Sequence, residues 1–243
     1  MHILNSRILH LPVALILATL AVRSSPAQEA DKIPPPTFPL KLRAPDKASW
    51  TVQIKRNSGG GDDGESGSRK ITVTKTAPIY HETETGGGSG AERWAFLTPG
   101  STYRFTKGPS GWERLYADYY ADIAQYETSD FEDTEWATQE TYKGVVVTNG
   151  VPLYYFEKTS SKPISRRDLK FYDVGAAVSG QGAPTFTCRA WIDPKTLLPV
   201  KLEDGREVRT FTYNDPPAAQ LMPPSEVLSE LKKWVAEIQR MNR

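Results

Sequence analysis

Residues 186–213 limit what this chain can fold into more than any other stretch. They read Phe-Thr-Cys-Arg-Ala-Trp-Ile-Asp-Pro-Lys-Thr-Leu-Leu-Pro-Val-Lys-Leu-Glu-Asp-Gly-Arg-Glu-Val-Arg-Thr-Phe-Thr-Tyr. Phe186, Cys188, Ala190 and Ile192 recur at period two, and Thr187, Arg189, Trp191 and Asp193 take the other face, as in a strand. Asp193-Pro194-Lys195-Thr196 carries Asp at the first turn position and Pro at the second, where its fixed φ suits a type I turn. Leu198, Val200 and Leu202 then alternate with Pro199, Lys201 and Glu203, and Asp204-Gly205 signals a tight hairpin. The stretch predicts three consecutive antiparallel strands. Their apolar face must be covered, and what covers it bears on function.

The same alternation appears upstream. Trp50, Val52 and Ile54 mark a strand over 49–56, Ile71 and Val73 one over 69–76, and further strands are expected over 79–83, 93–97 and 102–106. Gly59 to Ser68 and Gly86 to Gly90 read as flexible hairpin tips. Asn149-Gly150 joins Gly144–Thr148 to a Val151–Phe156 strand as a type I′ hairpin, with Pro152 at an edge or bulge. Between the halves the period changes. Trp112, Leu115, Tyr116, Tyr119, Tyr120, Ile123 and Tyr126 fall on one helical face after Gly108-Pro109-Ser110-Gly111, which predicts an amphipathic helix over 112–126.

Asp130 to Glu135 follows as a solvated acidic loop. Residues 159–184 are polar, with a short helix or a loop around 165–171. Val227, Leu228, Leu231, Trp234, Val235, Ile238 and Met241 form the stripe of a C-terminal helix within 223–243, with Glu226 in its first turn and Arg240 and Arg243 in its last. The expected class is α+β: a strongly curved antiparallel sheet over 49–222 covered by helices.

The N-terminus reads as an address. Arg7 precedes an apolar run from Leu9 to Val22, and Ser25-Pro26-Ala27 places small residues before a cut at Gln28. Export is expected, to the periplasm or beyond, with no stable membrane span after cleavage. Residues 28–48, with Pro34-Pro35-Pro36, Pro39 and Pro45, form an extended leader. Cleavage at 27 takes Arg7 and Arg23 from the 30 basic side chains and none of the 29 acidic ones, leaving a formal charge of −1. That balance gives no electrostatic reason to expect nucleic acid or an anionic membrane as partner. The mature chain is long enough to bury roughly 70% of its unfolded surface. Its single Cys188 allows no internal disulfide and reads as a small buried hydrophobe.

Chemistry is thinly provided. His81 is the only histidine left after cleavage, it sits on a predicted strand, and no Gly-x-Ser-x-Gly elbow is present. One His and one Cys make zinc improbable, the Gly-rich tips lack the Lys of a phosphate loop, and the acids at 130–135 do not follow a calcium-loop spacing. No catalytic residue, metal or cofactor is expected, although acids distant in sequence could still converge as in a glycosidase. The remaining feature is the supply of aromatic residues, which either fill a core or leave an apolar groove between sheet and helix.

The meander resembles that of the outer-membrane lipoprotein carrier (LolA/LolB-like) superfamily. The matching residues are Trp191-Ile192-Asp193, the turn Pro194-Lys195-Thr196, the strand Leu198-Pro199-Val200, and then Phe211-Thr212-Tyr213-Asn214. The resemblance implies an eleven-stranded half-barrel lidded by helices around an apolar cavity. It is specific over about 186–215 and architectural over 49–156. The Pro-rich leader departs from the carriers' first helix, and the C-terminal helix is an addition, so the chain is similar to a divergent exported relative of the carriers.

Two functions follow as expectations. The first is a non-enzymatic binder of an apolar or lipidated ligand, lined by Trp50, Val52, Ile54, Ile71, Val73, Trp94 and Phe96, with Tyr116 and Tyr120 of the predicted helix as lid. The second is an interaction or sensing module whose sheet edge or C-terminal helix docks a protein partner.

Overall fold

The computed structural model of the protein describes residues 32–56, 68–86, 90–98, 101–115, 129–131, 133–160, 185–205 and 207–241. The predicted signal peptide, both flexible tips and the 165–171 segment fall largely or wholly outside them. Eleven antiparallel strands form one sheet: β1 (Lys47–Arg56), β2 (Arg69–Thr76), β3 (Ile79–Thr85), β4 (Ala91–Thr98), β5 (Ser101–Gly108), β6 (Gly111–Leu115), β7 (Tyr142–Thr148), β8 (Val151–Ser160), β9 (Phe186–Ile192), β10 (Pro199–Glu203) and β11 (Glu207–Asn214). A helix, α1 (Ser225–Met241), ends the described chain. The spatial order is β6-β5-β4-β3-β2-β1-β11-β10-β9-β8-β7. Two meanders are therefore zipped together by β1 against β11, from Ser49↔Asn214 to Arg56↔Glu207.

Register assigns every side chain to a face. Trp50, Val52 and Ile54 lie beside Val73, Ile71 and Arg69 on β2 and beside Tyr213, Phe211 and Arg209 on β11. Their face continues through Tyr80 to Ala95 on one side, and through Leu202, Ala190 and Phe156 on the other. We call this the inner face. It carries the larger core cluster, which includes Trp50, Val52, Ile54, Ile71, Val73, Tyr80, Phe156, Ala190 and Ile192.

Among the described residues the cover of that face is not helical, which corrects the expectation of an α+β sheet covered by helices. The sheet is open and curved, and two irregular segments lie across it: the leader from Ile33 to Ala44, and a strap over 129–141. They touch each other through a bridge between Leu42 and Ser129, and Asp130 N–H donates to the Leu42 carbonyl at 2.9 Å. The reason is local. Prolines at 34, 35, 36 and 39 forbid a helix in the leader. The strap's short polar side chains bond their own backbone instead, as when Phe131 N–H donates to Ser129 Oγ and Thr134 Oγ1–H to the Phe131 carbonyl.

Nor does a helix begin at Trp112. Gly108-Pro109-Ser110-Gly111 turns a hairpin, pairing Lys107 with Trp112 and Thr106 with Glu113, so residues 111–115 are strand. Gly111 has φ +117°, a region open to glycine and closed to most side chains. Trp112 and Leu115 fit a period of 3.6, but Trp112 and Arg114 equally fit a period of two. Residues 116–126 lie outside the described residues.

The helix α1 packs on the outer face, against β4, β5 and β6. Val227 is fully buried there among Trp94, Phe96, Tyr103 and Phe105, with Trp234 edge-on to Tyr103 and Phe105 at 5.2 and 5.7 Å. Arg114 pairs with Glu230 and Glu237 and lies 5.6 Å from the Trp234 ring. Truncation at Pro223 therefore strips a core instead of a docking tail. Deleting 224–243 should lower the urea midpoint at least as far as Phe105→Ala, itself expected to cost about 3–5 kcal/mol. A truncated chain as stable as the full one would contradict this packing.

Candidate functional site

Five of the nine residues expected to line a site come together on the inner face. Trp50, Val52, Ile54, Ile71 and Val73 floor a small cavity of about 70 Å³, completed by Tyr80, Phe211 and the strap. Alternation and register together produce that floor, since every second residue of β1 and of β2 turns to one side and Trp50 pairs with Val73 and Val52 with Ile71. Trp94 and Phe96 do not join it. His81 pairs with Trp94 and Thr74 with His81, which puts Trp94 in phase with Thr74, opposite Val73, and so under α1 on the outer face. Tyr116 and Tyr120 lie outside the described residues.

Phe131 is the roof. Its ring lies 5.4 Å from Trp50, 5.7 Å from Phe211 and 6.5 Å from Tyr213, and the residue is 2% exposed. The acid before it and the acid two residues after it are buried too. Asp130 has no side-chain exposure; it pairs with Lys75 at 2.9 Å and accepts from Tyr80 Oη–H and Ala44 N–H, each at 2.7 Å. Lys75 Nζ also donates to the Ala44 carbonyl. Asp133 pairs with Arg209 at 3.0 Å, and Arg209 further engages Glu207 and Asp204. Burial works against the Arg209 charge, but Asp133, Glu207 and Asp204 outweigh it and raise its pKa. Asp133 itself has φ +58°, a left-handed conformation that Asp tolerates better than most residues.

The expectation of a solvated acidic loop at 130–135 is thus corrected. Two of its acids are buried counter-ions for cations on the sheet. The signal was in the strands. Ile71-x-Val73-x-Lys75 puts Lys75 on the apolar face of β2, and Arg209-x-Phe211 does the same on β11. A cation pointing inward needs a buried acid from elsewhere in the chain.

A wider ion network runs along one end of the inner face. Arg93 meets Glu82 and Glu84, and Arg69 joins Glu84 to Glu207 across β1. Two further grooves are larger. One of about 600 Å³ lies between Phe38–Leu42 and residues 134–140, and one of about 890 Å³ lies between the β5–β6 turn and the start of α1, edged by Glu92, Glu226 and Glu230.

His81 lies on the outer face, stacked on Trp94 at 4.2 Å with Nε2 3.2 Å from Glu92. Among the described residues no group of His, Cys, Asp or Glu side chains is placed to hold a metal ion, and no helix is long and apolar enough to cross a membrane. Cys188 is buried on the inner face; burial, then Asp204 and Asp133, push its thiol from the ordinary 9.0 up to about 12.

No protein-family model and no curated protein matches the chain. Among solved structures it is similar to the Mycobacterium tuberculosis lipoprotein LppX, at 14% identity and a TM-score of 0.36, covering 73% of this chain and 90% of that one. It is also similar to a chain of the Pseudomonas aeruginosa MucA/MucB complex, at 17% identity and 0.35, covering 74% of this chain and 58% of that one. A structure of MucB with MucA(peri) gives 15% identity and 0.27, covering 74% and 55%. The chain thus spans less than two thirds of both chains from the MucA–MucB complexes. At these scores the likenesses assign no function.

Two outcomes check the site. Lys75→Met strands the Asp130 carboxylate and should cost about 3–5 kcal/mol in urea unfolding, with Lys75→Met/Asp130→Leu recovering at least half. Recovery of nothing would mean that the pair is not the unit that matters. Cys188 should resist a thiolate-specific reagent at pH 8 until the protein unfolds. Because the folded pKa is raised, its stabilising contribution is full below pH 9 and declines as pH climbs toward 12.

Proposed function

We propose that this chain is an exported, non-enzymatic binder of an apolar or acylated ligand, a divergent relative of the lipoprotein carriers, with the inner face as its site. The observation that carries the reading is the cavity floored by Trp50, Val52, Ile54, Ile71 and Val73 and roofed by one phenylalanine of an irregular strap. A space of about 70 Å³ accommodates roughly two waters, whereas ligand pockets run to several hundred Å³. The ligand therefore enters as the strap lifts and Phe131 vacates its seat. Strap and leader are irregular segments held mainly by side-chain contacts, the kind of element that opens locally without global unfolding.

Purified mature protein should bind a fluorescent fatty-acid probe or carry co-purifying lipid in native mass spectrometry. A saturating ligand at a hundredfold excess over Kd should add about 2.7 kcal/mol of stability, visible as a rise in Tm. Val52→Phe, which fills the cavity, should weaken the probe at least tenfold. Folded protein that binds no probe and carries no lipid would sink the proposal.

A second reading, a protein-interaction module, is favoured by one feature. The edge strand β7 presents Val145-Val146-Val147 with no charge among them, and Val147 and Val151 are 39% and 52% exposed. An uncharged stretch of edge strand such as this one accepts a partner's strand. Loss of a co-purifying protein on Val147→Lys, in a chain that binds no lipid, would select this reading.

A further inference from the structure

We infer that Asp130 and Phe131 occupy the site as a built-in stand-in for its ligand, and that the ligand is an anionic amphiphile. This rests on the inner face being a binding site. The cradle around the Asp130 carboxylate consists of donors from three separate places: Lys75 Nζ on β2, Tyr80 Oη–H on β3 and Ala44 N–H in the leader. Arg43 adds a fourth group, and a second positive charge, at 3.6 Å. Immediately beside it, the Phe131 ring fills the apolar seat over Trp50 and Phe211. An acidic group joined to an apolar group, set in an anion cradle and an apolar seat, has the chemistry of an anionic amphiphile.

The identity of the head follows from what lifting the strap leaves behind. Arg209 keeps Glu207 and Asp204 when Asp133 departs. Among the described residues, Lys75, only 4% exposed, hydrogen-bonds to no acid other than Asp130. A buried ammonium without its counter-ion is strongly unfavourable, so an apolar ligand with a neutral head would open the strap against that penalty. A ligand bringing a carboxylate or phosphate restores the ion pair and the Tyr80 hydrogen bond while its tail takes the place of the Phe131 ring. Opening and binding are then an exchange of one anion and one apolar group for another at Lys75, while Arg209 gives up Asp133 and keeps Glu207 and Asp204.

The test uses the full mature chain with cis-parinaric acid and its methyl ester, which share a tail and differ in head charge. Wild-type protein should bind the acid at least tenfold more tightly than the ester. Phe131→Ala should strengthen both, and Lys75→Met should reduce the acid's advantage to less than threefold, with circular dichroism reporting the fold. Displacement of the acid by oleate assigns the head to a carboxylate, and displacement by lysophosphatidic acid alone assigns it to a phosphate; either supports an anionic head. Equal affinity of wild-type protein for acid and ester overturns this inference and leaves the binding site standing. Binding of neither overturns both. Should Lys75→Met fail to fold, the acid-to-ester ratio on wild-type protein still decides.

Discussion

A single carboxylate with no solvent exposure, that of Asp130, joins three parts of this molecule at one point. Its partners are a lysine on β2, a tyrosine on β3 and a backbone amide of the leader. Removing a carboxylate and an ammonium from water is costly, and the cost is offset only where the remaining polar positions are filled. Here Tyr80 and Ala44 fill positions on Asp130, and the Ala44 carbonyl fills one on Lys75. The arrangement is weak as a source of net stability and strong as a source of specificity. An irregular strap could lie on an apolar sheet in many ways, but only one of them buries this pair intact.

The two faces of the sheet are covered by different physics. The outer face of β4 to β6 has a regular helix, whose backbone is satisfied internally and whose stripe needs only to match the aromatic residues beneath it. The inner face has segments that cannot satisfy their own backbone by regular pairing. They depend on hydroxyls such as Ser129 and Thr141, on the Leu42–Ser129 bridge and on buried ions. A helix detaches as a cooperative unit, carrying its whole stripe away. A strap held at separate points can yield locally, so the inner cover suits access and the outer cover suits permanence.

The strands were legible because a period of two is local information. Trp50, Val52 and Ile54, or Cys188, Ala190 and Ile192, announce their shared face within a few residues, and Asn149-Gly150 and Asp204-Gly205 announce the turns. What escaped was information held between strands. Trp94 and Phe96 read as members of the same wall as Trp50, yet the β2–β3–β4 register puts them on the other side. The residues 112–115 supported two periods at once, and the hairpin geometry of Gly108 to Gly111 decided for the strand. The roof of the site was hidden for a further reason. Phe131 sits within an acidic run whose composition reads as solvated, and only the inward parity of Lys75 and Arg209 reveals that some of those acids must be buried.

That parity has a wider consequence. A sheet designed only to bury its face would have an apolar residue at position 75, since replacing a buried ion pair by well-packed hydrophobes is often neutral or stabilising. The pair at Lys75 and Asp130 therefore contributes something other than stability. It fixes which segment covers the face, and it makes that cover exchangeable in a way a purely apolar contact is not. A hydrophobic plug yields to any greasy molecule, whereas a plug tied to its seat through a buried charge yields at low cost only to a molecule that brings a charge of the same sign. In the proposed binder, selectivity for the head of a ligand and retention of the cover in its absence are then one property of one ion pair.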